Sequence, residues 1–159
     1  MIRSIRSFFG GSTAGRAVMV ATAALLATAC DDDDDPIDPG PSHTWAAELA
    51  GEGEYEGITG EVVVTANTVA FSADIEIAGA EPETVFSWGI FAGTCDDVGN
   101  RVGAASLYAY IETDENGAGA EDAEGTGGMI SGDDYIVQLT TEVEEEDVVV
   151  ACAELVEED

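Results

Sequence analysis

The alternation of apolar and polar residues is the feature that most restricts the fold of this chain. In "TVAFSADIEIAG" (68–79) the apolar residues that share one face are Val69, Phe71, Ala73, Ile75 and Ile77. A period of two residues predicts a β-strand with one buried face. No stretch after residue 29 has a convincing helical period. We therefore predict an all-β domain.

Other segments are predicted to be strands because they are rich in β-branched and aromatic residues. They are "GEVVVTA" (60–66), "FSWGIFAGTC" (86–95), "SLYAYIE" (106–112), "DYIVQLTTEV" (134–143) and "VVVACAELV" (148–156). Turn sequences such as "DENG" (114–117) separate them, whereas the glycine-rich segments 51–57 and 117–128 are predicted to be loops. Seven or eight short strands of this kind predict an antiparallel β-sandwich or barrel. The segment 86–95 has apolar bulk on both faces, so we expect it to face the core on one side and to be covered on the other.

Acidic residues dominate the charge of the chain. It has 34 Asp and Glu against 4 Lys and Arg, and its formal net charge is −30. Arg101 is the only basic residue of these two types after residue 29. Such a surface repels nucleic acid, which is excluded as a partner. Two interpretations stay open: adaptation to a saline environment, where salt screens the repulsion, and a surface that binds cations unspecifically.

The N-terminus has the pattern of an export signal. Arg3, Arg6 and Arg16 precede the apolar run 17–29, which is shorter than the roughly 18 residues that span a bilayer. Its end, "LLATAC", resembles a bacterial lipobox, with Ala27 where leucine is usual at the third position before the cysteine, and "ATA" alone fits ordinary signal peptidase; both place the cut before Cys30. We predict a signal peptide over residues 1–29 and lipidation of Cys30, which would anchor the protein to a membrane of the bacterial envelope, on its periplasmic or surface face.

Beyond Cys30 the chain divides into a tether and a domain. "DDDDDPIDPGPSH" (31–43) combines like charges with proline and glycine, so residues 30–43 are predicted to be a disordered acidic tether. Residues 44–159 have the size of one domain.

The number of cysteines agrees with a lipid anchor. The chain has 3 cysteines, and exported proteins normally pair their thiols. If Cys30 carries lipid, Cys95 and Cys152 remain as one pair. The alternative is that all of them are incidental, which leaves a free thiol in an oxidising compartment.

Three segments resemble the copper/zinc superoxide dismutase-like β-sandwich family. They are "SWGIFAGTC" (87–95), "VGAASLYAYIETDENGAG" (102–119) and "DYIVQLTTEVEEEDVVVACAEL" (134–155), in the family's order and spacing. The resemblance implies a Greek-key sandwich in which Cys95 bridges to Cys152. It also places the family's two histidine ligands of this strand at Gly89 and Phe91, neither of which can bind a metal. The only histidine of the chain is His43, in the tether, so we expect no metal site, no cofactor and no dismutase activity.

Other chemistry finds little support in the sequence. A serine or cysteine nucleophile needs a neighbouring base, and the domain has no histidine or lysine to supply one. "DENGAGAEDAEG" (114–125) begins like a calcium loop with Asp114 and Asn116, but its spacing departs from an EF-hand. Arg101 is expected to pair with Asp96 or Asp97.

The sequence therefore predicts a non-catalytic envelope lipoprotein with a structural or partner-binding role, whose protein partner it does not identify. A calcium-responsive cell-surface module is the alternative, and an enzyme that uses carboxylates alone is a third, weaker one.

Overall fold

In a computed structural model of the protein, residues 38–158 are described and form an all-β structure. It contains 9 strands and two 3-10 turns, at Gly53–Tyr55 and Ala105–Leu107. The strands are His43–Ala50 (β1), Thr59–Ala66 (β2), Ala70–Ala78 (β3), Val85–Thr94 (β4), Asp97–Arg101 (β5), Ile111–Glu112 (β6), Gly119–Thr126 (β7), Tyr135–Val143 (β8) and Glu146–Glu157 (β9).

All paired strands are antiparallel, in the order β5-β4-β8-β9-β1-β2-β3-β7, and the short β6 pairs with β4. The sheet curls around one core and has two halves, β5–β4–β8–β9 and β1–β2–β3–β7. They join at β1 and β9, whose ladder contains only the pairs Trp45–Glu157 and Ala46–Val156. The connections from β3 to β4 and from β7 to β8 cross between the halves, as in a Greek key. The predicted antiparallel all-β class is confirmed.

The core is built by the period-two pattern that the sequence shows. In β3, Phe71, Ala73, Ile75 and Ile77 are buried and the residues between them are not. Val69, predicted to share this face, precedes the strand and is 38% exposed. Asn67 explains the early turn, because its side-chain oxygen accepts hydrogen bonds from the backbone N–H groups of Val69 and Ala70.

Aromatic contacts connect the two halves through the core. The ring of Tyr108 stacks on Phe71 of β3, with centroids 5.8 Å apart, and meets the edge of Trp88 of β4 at 5.0 Å. Near the seam, Trp45 of β1 lies 6.1 Å from Tyr135 of β8 in an edge-on arrangement. Such aromatic pairs contribute about 0.5–1.5 kcal/mol beyond the area they bury.

Two local predictions are wrong. The segment 106–112, predicted as a strand, contains a 3-10 turn and only the two-residue strand β6. The glycine-rich segment 117–128, predicted as a loop, contains the eight-residue strand β7, which pairs with β3 along its length. In both segments tertiary contacts override local propensity. In 106–112, Tyr108 packs on Phe71 and Trp88 in the core, outside any strand. In 117–128, the small residues of β7 pair with the edge of β3.

Candidate functional site

The two positions at which the resemblance places metal ligands lie together on β4. Phe86, Trp88 and Ile90 point into the core, so Gly89 and Phe91 belong to the outer face of the strand. The sequence prediction that this strand is apolar on both faces therefore holds. Neither residue carries a nitrogen, oxygen or sulfur atom in its side chain, so the pair does not fit copper or zinc.

The guanidinium group of Arg101 occupies the space over these positions. Its central carbon lies 4.9 Å from the centroid of the Phe91 ring, a cation–π distance. A Cβ atom placed on Gly89 would lie 3.1 Å from Arg101 Nε, so the glycine leaves room for the arginine. Phe91 and Arg101 are also direct cross-strand partners in β4 and β5. The outer face is therefore filled at this point.

The prediction that Arg101 pairs with Asp96 or Asp97 is wrong. Within residues 38–158 the only acid–base contact shorter than 4 Å joins His43 Nδ1 to Glu157 Oε1, at 2.7 Å. The antiparallel register of β4 and β5 places Arg101 opposite Phe91, whereas Asp97 pairs with Thr94 at the hairpin end. Register, which the sequence does not show, decides the partner of the arginine.

A disulfide ties the end of this hairpin to a strand two places away. The turn between β4 and β5 contains Cys95, which is bonded to Cys152 of β9 with the Cα atoms 6.0 Å apart. The bond crosses β8, whose Gln138 pairs with Cys152 on one side and with Gly89 on the other. The predicted Cys95–Cys152 bridge is confirmed.

On the outer face of β4 and β8, the β4–β5 hairpin and its disulfide cover a small group of apolar side chains that is separate from the main core. Ile136 of β8 pairs with Phe91 and is 0% exposed, yet it does not belong to the main core cluster. The hairpin of β4 and β5 thus buries apolar surface on the side of the sheet that faces away from the core. The cover predicted for the second face of β4 is formed by the β4–β5 hairpin, through Arg101 and the turn that carries Cys95.

Tyr108 contacts the same arginine from the core side. Its ring centroid lies 5.9 Å from the guanidinium carbon of Arg101, and its hydroxyl donates a 2.7 Å hydrogen bond to the carbonyl of Val102. Burial raises the pKa of Tyr108 to about 12, against smaller lowering effects of a backbone hydrogen bond and of Arg101. The phenol is therefore a neutral hydrogen-bond donor at physiological pH, with a structural role.

The start of the calcium-like segment is a hydrogen-bonded turn. The Asp114 carboxylate accepts bonds from the backbone N–H groups of Ala118 and Asn116 and from the Asn116 side chain. These hydrogen bonds, that from Ala118 most of all, lower the pKa of Asp114. Its oxygens are used to close the turn that leads into β7, as the predicted "DENG" turn requires.

The outer face of the other half is acidic and uncovered. The register aligns three glutamates in one row across three strands: Glu48 of β1 faces Glu61 of β2, which faces Glu76 of β3. These side chains border an open depression of about 920 Å³ together with small residues such as Ala78 and Ala120. No local pattern predicted this row, because the three residues are distant in sequence and meet only through pairing.

Glu157 holds the end of β9 against two other segments. Its carboxylate accepts hydrogen bonds from Ser131 Oγ at 2.8 Å, from the Gly132 N–H at 3.1 Å and from His43. The bond from Ser131, then that from Gly132 and the contact with His43, lower the pKa of Glu157 below its usual value. The histidine that the sequence assigns to the tether is thus the first residue of β1.

Further properties bear on function. In the part of the chain that the structure describes, no three side chains of His, Cys, Asp or Glu form a group suited to hold a metal ion. Between residues 38 and 158 no helix has the length and hydrophobicity needed to cross a membrane. No protein-family model, curated protein or solved structure matches this chain. The predicted signal peptide and the lipidation site Cys30 lie outside the described residues.

Proposed function

We propose that this protein is a non-catalytic lipoprotein of the bacterial envelope, in which a superoxide dismutase-like sandwich without a metal site has a structural or partner-binding role. The observation that carries the proposal is the position of Arg101. A permanent positive charge lies over Gly89 and Phe91, where the resemblance would place metal ligands. A guanidinium group repels a metal cation at short range, so this outer face favours packing over metal binding.

The scaffold supports the same proposal. An antiparallel Greek-key sheet and a bridge from the β4 turn to β9 are what the resemblance implies for the fold. The export and anchoring part of the proposal is supported by the sequence pattern that ends at Cys30. The calcium-responsive alternative is less well supported, because Asp114 is engaged in its own turn.

Intact-mass measurement of the full chain after expression in a bacterial host tests the anchor. We expect membrane-extracted protein to begin at Cys30 and to carry a thioether-linked diacylglycerol. Cys30→Ala should leave the protein without lipid and release it from the membrane fraction. An unmodified Cys30 thiol in membrane-extracted protein would contradict the lipoprotein proposal.

Metal content and superoxide consumption test the absence of catalysis. After incubation with copper and zinc and removal of free metal, we expect neither stoichiometric metal nor any rate above that of buffer. The triple variant Gly89→His, Phe91→His, Arg101→Ala is the matched comparison, because it places two imidazoles on one face of β4 and removes the opposing charge. Stoichiometric copper in the natural chain would contradict the proposal.

A further inference from the structure

A second part of the outer face of β4 and β8 is open and carries a mixed apolar and acidic surface. It is a depression of about 630 Å³ near the turn between β8 and β9. We call it the Tyr110 surface and define it by Val85, Ser87, Tyr110, Glu142 and Asp147, which all line it. Ser87 and Gly89 lie two residues apart on the same face of β4, so this surface adjoins the region that Arg101 covers.

Large apolar side chains of the Tyr110 surface and of the row beside it are exposed. Tyr110 is 65% exposed and Val85 is 48% exposed, and in the next row of the same face Val149 is 47% exposed. Val149 belongs to this face because it pairs with Thr140, which pairs with Ser87. A group of exposed apolar residues surrounded by polar ones is typical of an interaction site.

Two carboxylates stand beside these apolar residues without a basic partner. Glu142 and Asp147 are direct cross-strand partners in β8 and β9, and like charges in such a pair destabilise a sheet. Arg101, the only lysine or arginine within residues 38–158, is engaged over Phe91. Residues 38–158 therefore offer no further lysine or arginine that could neutralise the pair.

We propose that the Tyr110 surface binds an arginine-containing basic segment of a partner protein. This inference deepens the proposed partner-binding role and rests on it. A guanidinium group stacks on an aromatic ring and pairs with carboxylates at the same time, which a lysine ammonium does less well. Tyr110 supplies the ring, Val85 supplies apolar contact for the arginine stem, and the cross-strand acids supply the charge, with Val149 extending the apolar surface in the next row.

The chain already places a guanidinium group over an aromatic ring once, on the same face of the same strand, without a carboxylate partner among residues 38–158. Arg101 lies 4.9 Å from the Phe91 ring centroid and rests against Gly89. The Tyr110 surface offers an aromatic ring with carboxylates nearby, and it lacks only the arginine. A partner with arginines exposed on a flexible segment would therefore complement it in shape and charge.

Titration of the full chain with Ac-Gly-Arg-Gly-Arg-Gly-Arg-Gly-amide tests this proposal, with Tyr110 ring resonances and calorimetry as readouts. At 0.15 M salt, where charges interact over about 8 Å, we expect Tyr110→Ala to weaken binding roughly fivefold. Removing both charges with Glu142→Gln and Asp147→Asn should weaken it about tenfold or more, and the lysine analogue should bind several-fold more weakly than the arginine peptide.

The matched control removes two charges from the other half, with Glu48→Gln and Glu61→Gln. It should change the dissociation constant less than about twofold, because these residues lie on a different face. An equal loss in this control would show diffuse attraction only and overturn the proposal, as would unchanged binding by Tyr110→Ala. Binding of an uncharged oligosaccharide that shifts the Tyr110 resonances would also overturn it. Because Tyr110 is mostly exposed, we expect Tyr110→Ala to fold, and a thermal unfolding curve of the variant checks this.

The outcome is separable from that of the proposed function. Failure of the arginine peptide to bind, with lipid on Cys30 and no dismutase activity, overturns the Tyr110 surface alone. An unlipidated Cys30 or a catalytic rate overturns the proposed function, whatever the peptide does.

Discussion

The outer faces of the two halves of the sheet differ: one is covered by a hairpin, and the other is open and acidic. On the β5–β4–β8–β9 half, Arg101 of β5 lies over Phe91 of β4. The turn of the β4–β5 hairpin folds back across β8, and a disulfide fastens it to β9. On the β1–β2–β3–β7 half, the outer face is uncovered and aligns Glu48, Glu61 and Glu76 in a row. Both halves share one core.

The only arginine and the only disulfide within residues 38–158 both belong to the covered half. Both lie on the half whose outer face holds buried apolar residues such as Ile136, and neither relieves the glutamate row. The covered half is therefore stabilised by specific contacts. The uncovered half depends on backbone pairing and the core, and solvent ions have to screen its charges.

Removal of the disulfide is the largest perturbation of the covered half. Cys95→Ala with Cys152→Ala opens a loop of 57 residues in sequence separation, and the chain-entropy relation predicts a loss of about 4 kcal/mol in the free energy of unfolding. Urea unfolding measures it. Reduction of the natural chain should give the same loss, and a loss below about 1 kcal/mol would show that the packing of the hairpin holds this half without the bond.

Removal of the arginine tests whether its contacts stabilise the cover. Arg101→Ala should lower the free energy of unfolding by about 0.5–1 kcal/mol, because it removes the cation–π contact of an exposed arginine and its packing on Gly89. Gly89→Ala should cost less in this background than in the natural chain, since the added methyl group meets Arg101 Nε. Asn100→Ala, at an exposed neighbouring position, is the control. Additive effects of Arg101→Ala and Gly89→Ala would contradict the contact.

Removal of one charge tests the uncovered half. Glu61→Gln, at the centre of the row, should raise the free energy of unfolding by roughly 0.5 kcal/mol at low salt, because like charges that face each other across strands repel. The gain should vanish near 1 M salt, where the screening length is about 3 Å. Glu115→Gln, in the turn before β7, serves as the control. A gain that persists at high salt would have another cause.

The smallest expected effect concerns Glu157, at the seam of the two halves. Hydrogen bonds from Ser131 and Gly132 and the contact with His43 lower its folded-state pKa. Its contribution to stability is therefore fully present above the ordinary glutamate value of 4.5 and is lost as the pH falls through the lower folded value.

Thermal unfolding between pH 3 and pH 7 measures this contribution. Glu157→Gln should lower the unfolding temperature at pH 7 and converge with the natural chain at low pH. Asp38→Asn, outside the strands, is the comparison. If the difference in unfolding temperature between Glu157→Gln and the natural chain stays constant down to pH 3, the stabilising role assigned to the ionised Glu157 is contradicted.

Most of the long strands could be predicted because their evidence is local. The alternation in β3 and the β-branched runs of β2, β8 and β9 are visible within ten residues. The strand β7 was missed because its glycines and acids have low strand propensity, and pairing with β3 overrides that propensity. The site was predicted only in part: Gly89 and Phe91 were singled out, but the arginine that covers them was assigned to another partner.

By itself the sequence determined the all-β class and, in β3, the residues Phe71, Ala73, Ile75 and Ile77 that face the core, because a period of two is a property of neighbouring residues. Counting thiols, together with the family resemblance, was enough to pair Cys95 with Cys152. Only the tertiary structure decided that Arg101 lies on Phe91, that Tyr108 bridges the halves, that three glutamates form a row, and that Tyr110 lies beside two acids. These contacts depend on the register between strands that are distant in the chain, and a shift of one residue would exchange the two faces of a strand.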